Sequence, residues 1–150
     1  MAIQSTVELA IDAPQTQVAY LFADPRNSTK WMHDLERYEP IRGEPGTPGS
    51  TYRLVPKRGK MVFTVTVAEL DLPTRLQLSL DASNVTVAVS VSMSNLPNGR
   101  TLLRSDEVFK FKGLWNTVFG FLAQAAIRKA HRRHIEAFKR FAELEYNGSR

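Results

Sequence analysis

A chain of 150 residues, 43% hydrophobic and 23% charged, is made up like one globular domain, 1–150, which excludes a disordered or fibrous protein. The absence of cysteine removes disulfides, thiolate nucleophiles and zinc–thiolate centres. The net charge of +5 is local: residues 128–140 hold six basic side chains against Glu136 alone, and the rest of the chain is balanced.

The opening MAIQSTVELA has neither the basic nor the apolar part of a secretory signal. The apolar run from 114 to 127 is too short and too interrupted to span a bilayer, so a cytoplasmic protein is expected. Ile3, Val7, Leu9 and Ile11 alternate with polar or small neighbours, which predicts a half-buried strand ending near Asp12. Pro14 suits the first position of a short helix carrying Val18, Leu21 and Phe22, and Asp24-Pro25 starts a second one reaching Trp31. Leu35–Ile41 reads as a weaker extended stretch. The run GEPGTPG, 43–49, is a loop, and without a lysine after Gly49 it is no phosphate loop.

Strands follow at Thr51–Val55, Met61–Leu70, Arg75–Ala82 and Val85–Ser94. In the last of these Val85, Val87, Val89, Val91 and Met93 make one apolar face, as in an antiparallel sheet covered on one side. Asn98-Gly99 marks a hairpin into a final strand, Thr101–Lys112. From about Leu114 to Glu145 the chain is helical, with Gly120 a point of division. On a helical wheel with Arg128 at zero, the six basic residues occupy a sector from 0° to about 140°. An apolar stripe from about 180° to 280° holds Ala123, Ile127, Ala130, Ala137, Phe138 and Phe141, with His134 in its middle.

This order of elements, together with particular residues, resembles a known superfamily. Ala13-Pro14, Val18, Phe22, Asp24-Pro25 and Trp31 are similar to the opening signature of the START-like (SRPBCC, Bet v 1-like) superfamily in its polyketide cyclase/dehydrase branch. Gly49-Ser50-Thr51-Tyr52-Arg53, Asp71-Leu72-Pro73-Thr74-Arg75-Leu76 and Asn98-Gly99-Arg100-Thr101 follow the family's pattern in the same order. The resemblance implies an α+β helix-grip fold: a curved antiparallel sheet of about six or seven strands wrapped around a long C-terminal helix, with two short helices after the first strand. It also implies an apolar cavity between sheet and helix.

Parity with Leu103, Phe109 and Phe111 turns Glu107 toward that cavity, whereas a single bulge would turn it outward. Glu107 and His134 are the candidate acid/base residues, expected to face the cavity and to interact. Trp31, Tyr52, Phe63, Phe109 and Phe138 are the candidate ligand-contacting aromatics, and Arg53 at the proposed mouth is a candidate partner for an acidic ligand group. His131 and His134 are spaced i, i+3 but lie about 60° apart with no carboxylate partners placed, so no metal and no cofactor are expected.

The expected function is binding of a small hydrophobic or aromatic, lipid- or polyketide-like, molecule by a monomer or homodimer. A cyclase, aromatase or dehydratase activity is the alternative, implied by the resemblance alone. Contact with RNA or an anionic membrane through the basic helix face is a second alternative, for which the sequence makes no strong case.

Overall fold

The computed structural model describes residues 2–58, 61–113 and 117–150. Strand β1 (Ala2–Ile11) leads into helix α1 (Gln15–Ala23), a 3-10 turn (Pro25–Asn27) and the one-turn helix α2 (Ser28–Trp31). Six strands follow, β2 (Leu35–Arg42), β3 (Thr51–Pro56), β4 (Phe63–Asp71), β5 (Arg75–Asp81), β6 (Val85–Leu96) and β7 (Arg100–Phe111), before helix α3 (Thr117–Gly148). The expected order of elements is therefore present. The helix expected from 114 is seen from 117, since 114–116 lie outside the described residues.

Two local expectations need correction. Pro14 (φ −66°, ψ 147°) stands just before α1 rather than at its first helical position, and its carbonyl accepts the Val18 N–H at 3.0 Å. Gly120 does not divide α3, which runs through it unbroken. The second start signal works as read: the Asp24 carboxylate accepts the Arg26 backbone N–H at 3.0 Å and pairs with the Arg26 guanidinium at 2.9 Å.

The strands form one antiparallel sheet in the order β1-β7-β6-β5-β4-β3-β2. Chain neighbours pair except at the first step, where β1 returns to lie against the last strand. Extra residues at Glu36, Ile41 and Ala68 interrupt the β2–β3 and β4–β5 registers, and such bulges bend a sheet. In contrast, β6 and β7 run in unbroken register from Val85 opposite Phe111 to Leu96 opposite Arg100, so parity along β7 holds from end to end. The connecting turn places Asn98 at φ 66° and Gly99 at φ 71°, the left-handed region that these two residue types enter most readily.

The core follows from this parity. Val85, Val87, Val89, Val91 and Met93 of β6 are all buried, as are Ile3, Val7 and Ile11 of β1. Helix α3 covers the β1 side of the sheet and also meets α1 and α2, whose Phe22 and Trp31 close around Phe138 at ring-centroid distances of 4.8 and 5.3 Å. Three hydrogen bonds fix the start of α1: Gln15 Nε2 donates to the carbonyls of Pro73 and Met93, and the buried Thr101 hydroxyl donates to the Ala13 carbonyl at 2.7 Å.

The outer edge of β1 is held by α3. Lys139 Nζ donates to the Ala10 carbonyl at 3.0 Å and to Glu143 Oε2 at 2.6 Å, the same carboxylate oxygen accepts the Asp12 N–H at 2.8 Å, and Arg128 Nε reaches the Gln4 carbonyl at 3.4 Å. Burial pushes the Glu143 carboxyl up, but its bonds to Lys139 and Asp12 outweigh that and lower it.

Candidate functional site

The half of the sheet away from the Phe22–Trp31–Phe138 cluster is not filled. A cavity of about 470 Å³ lies between α3 and the inner face of the sheet, walled by apolar side chains that include Leu54, Phe63, Leu80, Val87, Phe109, Ile127 and Ala130. Its volume is in the range that holds a small organic ligand. A smaller hollow of about 70 Å³ adjoins it toward Phe22, Trp31 and Tyr52, and Met32, Leu54, Leu80, Glu107 and His134 line both.

Glu107 sits on the inward row of β7, opposite Ser5 of β1 on one side and Val89 of β6 on the other. No bulge intervenes, so its carboxyl points into the cavity, and its side chain is 21% exposed. Burial pushes this carboxyl up from 4.5 to about 7.

His131 stands beside it. Its Nδ1 lies 3.7 Å from Glu107 Oε1 and 2.8 Å from Ser5 Oγ, while its Nε2 lies 2.9 Å from Ser105 Oγ. Either serine can donate or accept, so both neutral tautomers of the ring are satisfied. The protonated ring is satisfied as well, because two accepting hydroxyls then meet two N–H donors. Burial, reinforced by His134, lowers His131 from 6.5 to about 4. The two groups thus share one corner of the cavity wall, the imidazole held by two serines and the carboxyl 3.7 Å from it.

His134 lines the cavity one helical turn on, half-buried, with its Nε2 3.6 Å from Asp34 Oδ1. Asp34 follows α2 and stands on the cavity wall as well. Among the described residues no group of three or more His, Asp or Glu is arranged to hold a metal ion.

The remaining candidates separate by position. Phe63 and Phe109 line the large cavity, and Trp31 and Tyr52 line the small hollow. Burial pushes the Tyr52 phenol well above its ordinary range. Phe138 is fully buried in the solid part of the core, against Phe22, Trp31 and Phe141, rather than on the cavity wall. Arg53 projects from the opposite face of β3 to the buried Tyr52 and Leu54, where it is exposed and 3.5 Å from Glu39; it does not reach the cavity mouth. The alternation along β3 sends it there.

Sequence reasoning missed Ser5, Ser105 and Asp34, and weighed His131 only as a metal ligand. It centred the α3 stripe too near His134, because it omitted Ile135 and Ala142, which are buried and lie at about 340° and 320° on the same wheel. With them included, His131, at about 300°, falls inside the buried face. Ser5 did leave a signal, a polar residue at an inward position between the apolar Ile3 and Val7, and Ser105 a weaker one, between Leu103 and Glu107 on the row that Phe109 continues. The basic face is where the wheel put it, with Lys129, Arg132 and Arg133 exposed and Arg132 Nη1 3.8 Å from Glu136.

The model of a family described as polyketide cyclase / dehydrase and lipid transport matches residues 2–143. No curated protein matches the sequence significantly. Among solved structures, a START superfamily protein from Mycobacterium smegmatis superposes with a TM-score of 0.79 at 15% identity, covering 95% of this chain and 98% of that one. The ZhuI aromatase/cyclase from Streptomyces sp. R1128 gives 0.79 at 16% identity, covering 95% and 94%. A truncated norcoclaurine synthase from Thalictrum flavum gives 0.70 at 12% identity, covering 94% and 93%. At such identities the likeness establishes the helix-grip fold, as the sequence resemblance implied. Among the described residues no helix is long and apolar enough to cross a membrane.

Proposed function

Since this chain belongs to the polyketide cyclase / dehydrase and lipid transport family, we propose that it binds a small hydrophobic or aromatic molecule in the cavity between sheet and α3. The observation that carries this reading is the cavity itself, about 470 Å³ with apolar walls and a few convergent polar groups, Glu107, His134 and Asp34. An apolar ligand gains roughly 25 cal/mol for each Å² of apolar surface it removes from water, and the polar groups fix its orientation. Phe63 and Phe109 offer the large flat contacts that suit an aromatic ring or a polyketide-like chain.

The test is titration with an environment-sensitive apolar dye, alongside native mass spectrometry for a co-purifying small molecule. Ala130 lines the cavity and is only half-buried, so Ala130→Trp fills the space from the helix side with little strain on the sheet. Saturable dye binding that disappears in folded Ala130→Trp supports the proposal; absence of binding to the wild-type protein refutes it.

A second reading, cyclase- or dehydratase-type chemistry, is favoured by one observation, the Glu107 carboxyl beside His131. A carboxyl with a pKa of about 7 exists in both forms at neutral pH and can give or take a proton from a bound substrate. In this reading Glu107 and His134 are the groups that meet the substrate, burial sets the protonation of Glu107, and His131 with its two serines stands behind it. Turnover of a poly-β-keto substrate by wild type, lost in Glu107→Gln with ligand binding kept, is the measurement that decides for it.

A further inference from the structure

Of the 20 lysines and arginines in the chain, none lies among the described residues that line the large cavity. The ionisable groups there are Glu107, Asp34, His131 and His134. Among the described residues, the ligand space of a protein with a net charge of +5 therefore carries carboxyl groups and imidazoles but no lysine or arginine; the cations stand on the α3 outer face, at the β1 edge, in surface pairs such as Arg53–Glu39 and Arg104–Asp106, and, as Lys57 and Arg58, in an adjoining hollow that Asp34 and Glu36 also line. His131 offers a ligand no cation near neutral pH, because burial between Ser5 and Ser105 lowers it from 6.5 to about 4.

From this distribution, and resting on the cavity-binding reading above, we infer that the site selects hydrophobic molecules carrying a basic amine over molecules of the same shape carrying a carboxylate, with Glu107 as the counter-charge of the amine. The physical argument is a difference between two desolvated charges. An ammonium brought to Glu107 trades its water for a carboxylate and turns the penalty of burying Glu107 alone into a pair interaction. A carboxylate brought to the same place sits in apolar surroundings beside Glu107, with no lysine or arginine among the described residues of the wall to compensate its lost water. This reverses the expectation, drawn from Arg53, of an acidic ligand group.

The groups that face Glu107 shape its pH dependence. They are His131 and His134 from α3, Asp34 from the segment after α2, and Ser5 and Ser105 from β1 and β7, while its β6 neighbour Val89 is apolar. Near pH 8 His131, lowered to about 4, is neutral and Glu107, pushed up to about 7, is ionised. Amine selectivity is thus fully developed near pH 8 and fades as the pH falls toward 6.

The experiment is displacement of a bound apolar dye by three probes with one apolar body: 4-phenylbutylamine, 4-phenylbutanol and 4-phenylbutyrate, at pH 8 and pH 6. At pH 8 the amine is expected to bind about tenfold tighter than the alcohol and the carboxylate about tenfold weaker, roughly one desolvated charge interaction in each direction. Glu107→Gln should bring the amine down to the level of the alcohol. Should that variant fail to fold, the wild-type pH series replaces it: the amine-to-alcohol ratio should fall about fivefold from pH 8 to pH 6 as Glu107 takes up its proton. Equal displacement by all three probes, preference for the carboxylate, or displacement by none while the dye binds overturns the inference and leaves the cavity reading standing. Failure of the dye itself to bind overturns both.

Discussion

Glu107 Oε1 stands 3.7 Å from Nδ1 of His131, and the two groups are shifted in opposite directions by the same cause, the loss of water. Their effects on stability therefore oppose each other. Glu107 is raised, so its share of stability is complete below its ordinary 4.5 and is lost as the pH climbs through about 7. His131 is lowered, so its share is complete above its ordinary 6.5 and is lost as the pH drops through about 4. Between pH 4.5 and 6.5 the folded protein keeps one proton on Glu107 and the unfolded chain keeps one on His131, and the two slopes cancel.

The expected outcome is a flat pH dependence from this pair in wild type and opposite slopes in its single variants. In His131→Gln, unfolding free energy should fall with rising pH across that window; in Glu107→Gln it should rise. Each slope should approach about 1.4 kcal/mol per pH unit, the value for one proton. Urea unfolding at pH 4.5, 5.5 and 6.5 measures both. Parallel curves for the two variants would show that the corner is not desolvated.

Ser105→Ala removes the partner of His131 Nε2 while leaving that nitrogen buried. The expected loss is about 1–3 kcal/mol of unfolding free energy, that of a buried polar atom left without a bond. Ser94→Ala, at an exposed position of the neighbouring strand, is the control and should change stability by less than about 0.5 kcal/mol.

Phe138 and Phe63 separate core from cavity. Phe138→Ala opens a hole where three other aromatic rings converge and should cost about 3–5 kcal/mol. Phe63 is half-buried beside space that is already open, so Phe63→Ala should cost about 2 kcal/mol or less yet weaken dye binding. Thermal or urea unfolding paired with dye titration gives both numbers for each variant.

Lys129, Arg132 and Arg133 lie on the exposed side of α3, away from the cavity wall. Replacing all three by glutamine should leave the affinity for a neutral apolar dye within about twofold, since exposed charges at that distance are screened. If binding to RNA or anionic vesicles is measurable in the wild-type protein, it is this variant that should lose it, with a smaller salt dependence.

The fold was legible because its signals are periodic. Alternation in β6, the Asp24-Pro25 start and the Asn98-Gly99 turn each depend on a few adjacent residues, and no long-range contact overrode them. Glu107 was legible by the same rule, since a strand without bulges carries its parity from Leu103 to Phe111. The site's second half was not. Which histidine meets Glu107 depends on the rotation of α3 about its axis, and that is set by Ile135 and Ala142 packing on the sheet, a choice between neighbours about 60° apart on one helix. Arg53 was misplaced for the complementary reason: its own strand's alternation, with Tyr52 and Leu54 inward, already pointed it outward.

The bonds from α3 to the free side of β1 bear on more than the position of the helix. An unpaired strand edge is a template on which another chain can add a strand, and a sheet that is not closed has two of them. On β1, Lys139 and Arg128 occupy the Ala10 and Gln4 carbonyls, so part of the template is taken up by the protein's own helix. On β2 the protection is of another kind: the charged Arg37 and Glu39 with Pro40, flanked by the extra residues Glu36 and Ile41, break the flat run of donors and acceptors that strand addition needs. The cavity can therefore stay open to a ligand in a sheet whose rims resist fibrous growth, and loss of the α3 contacts should show first as aggregation through β1.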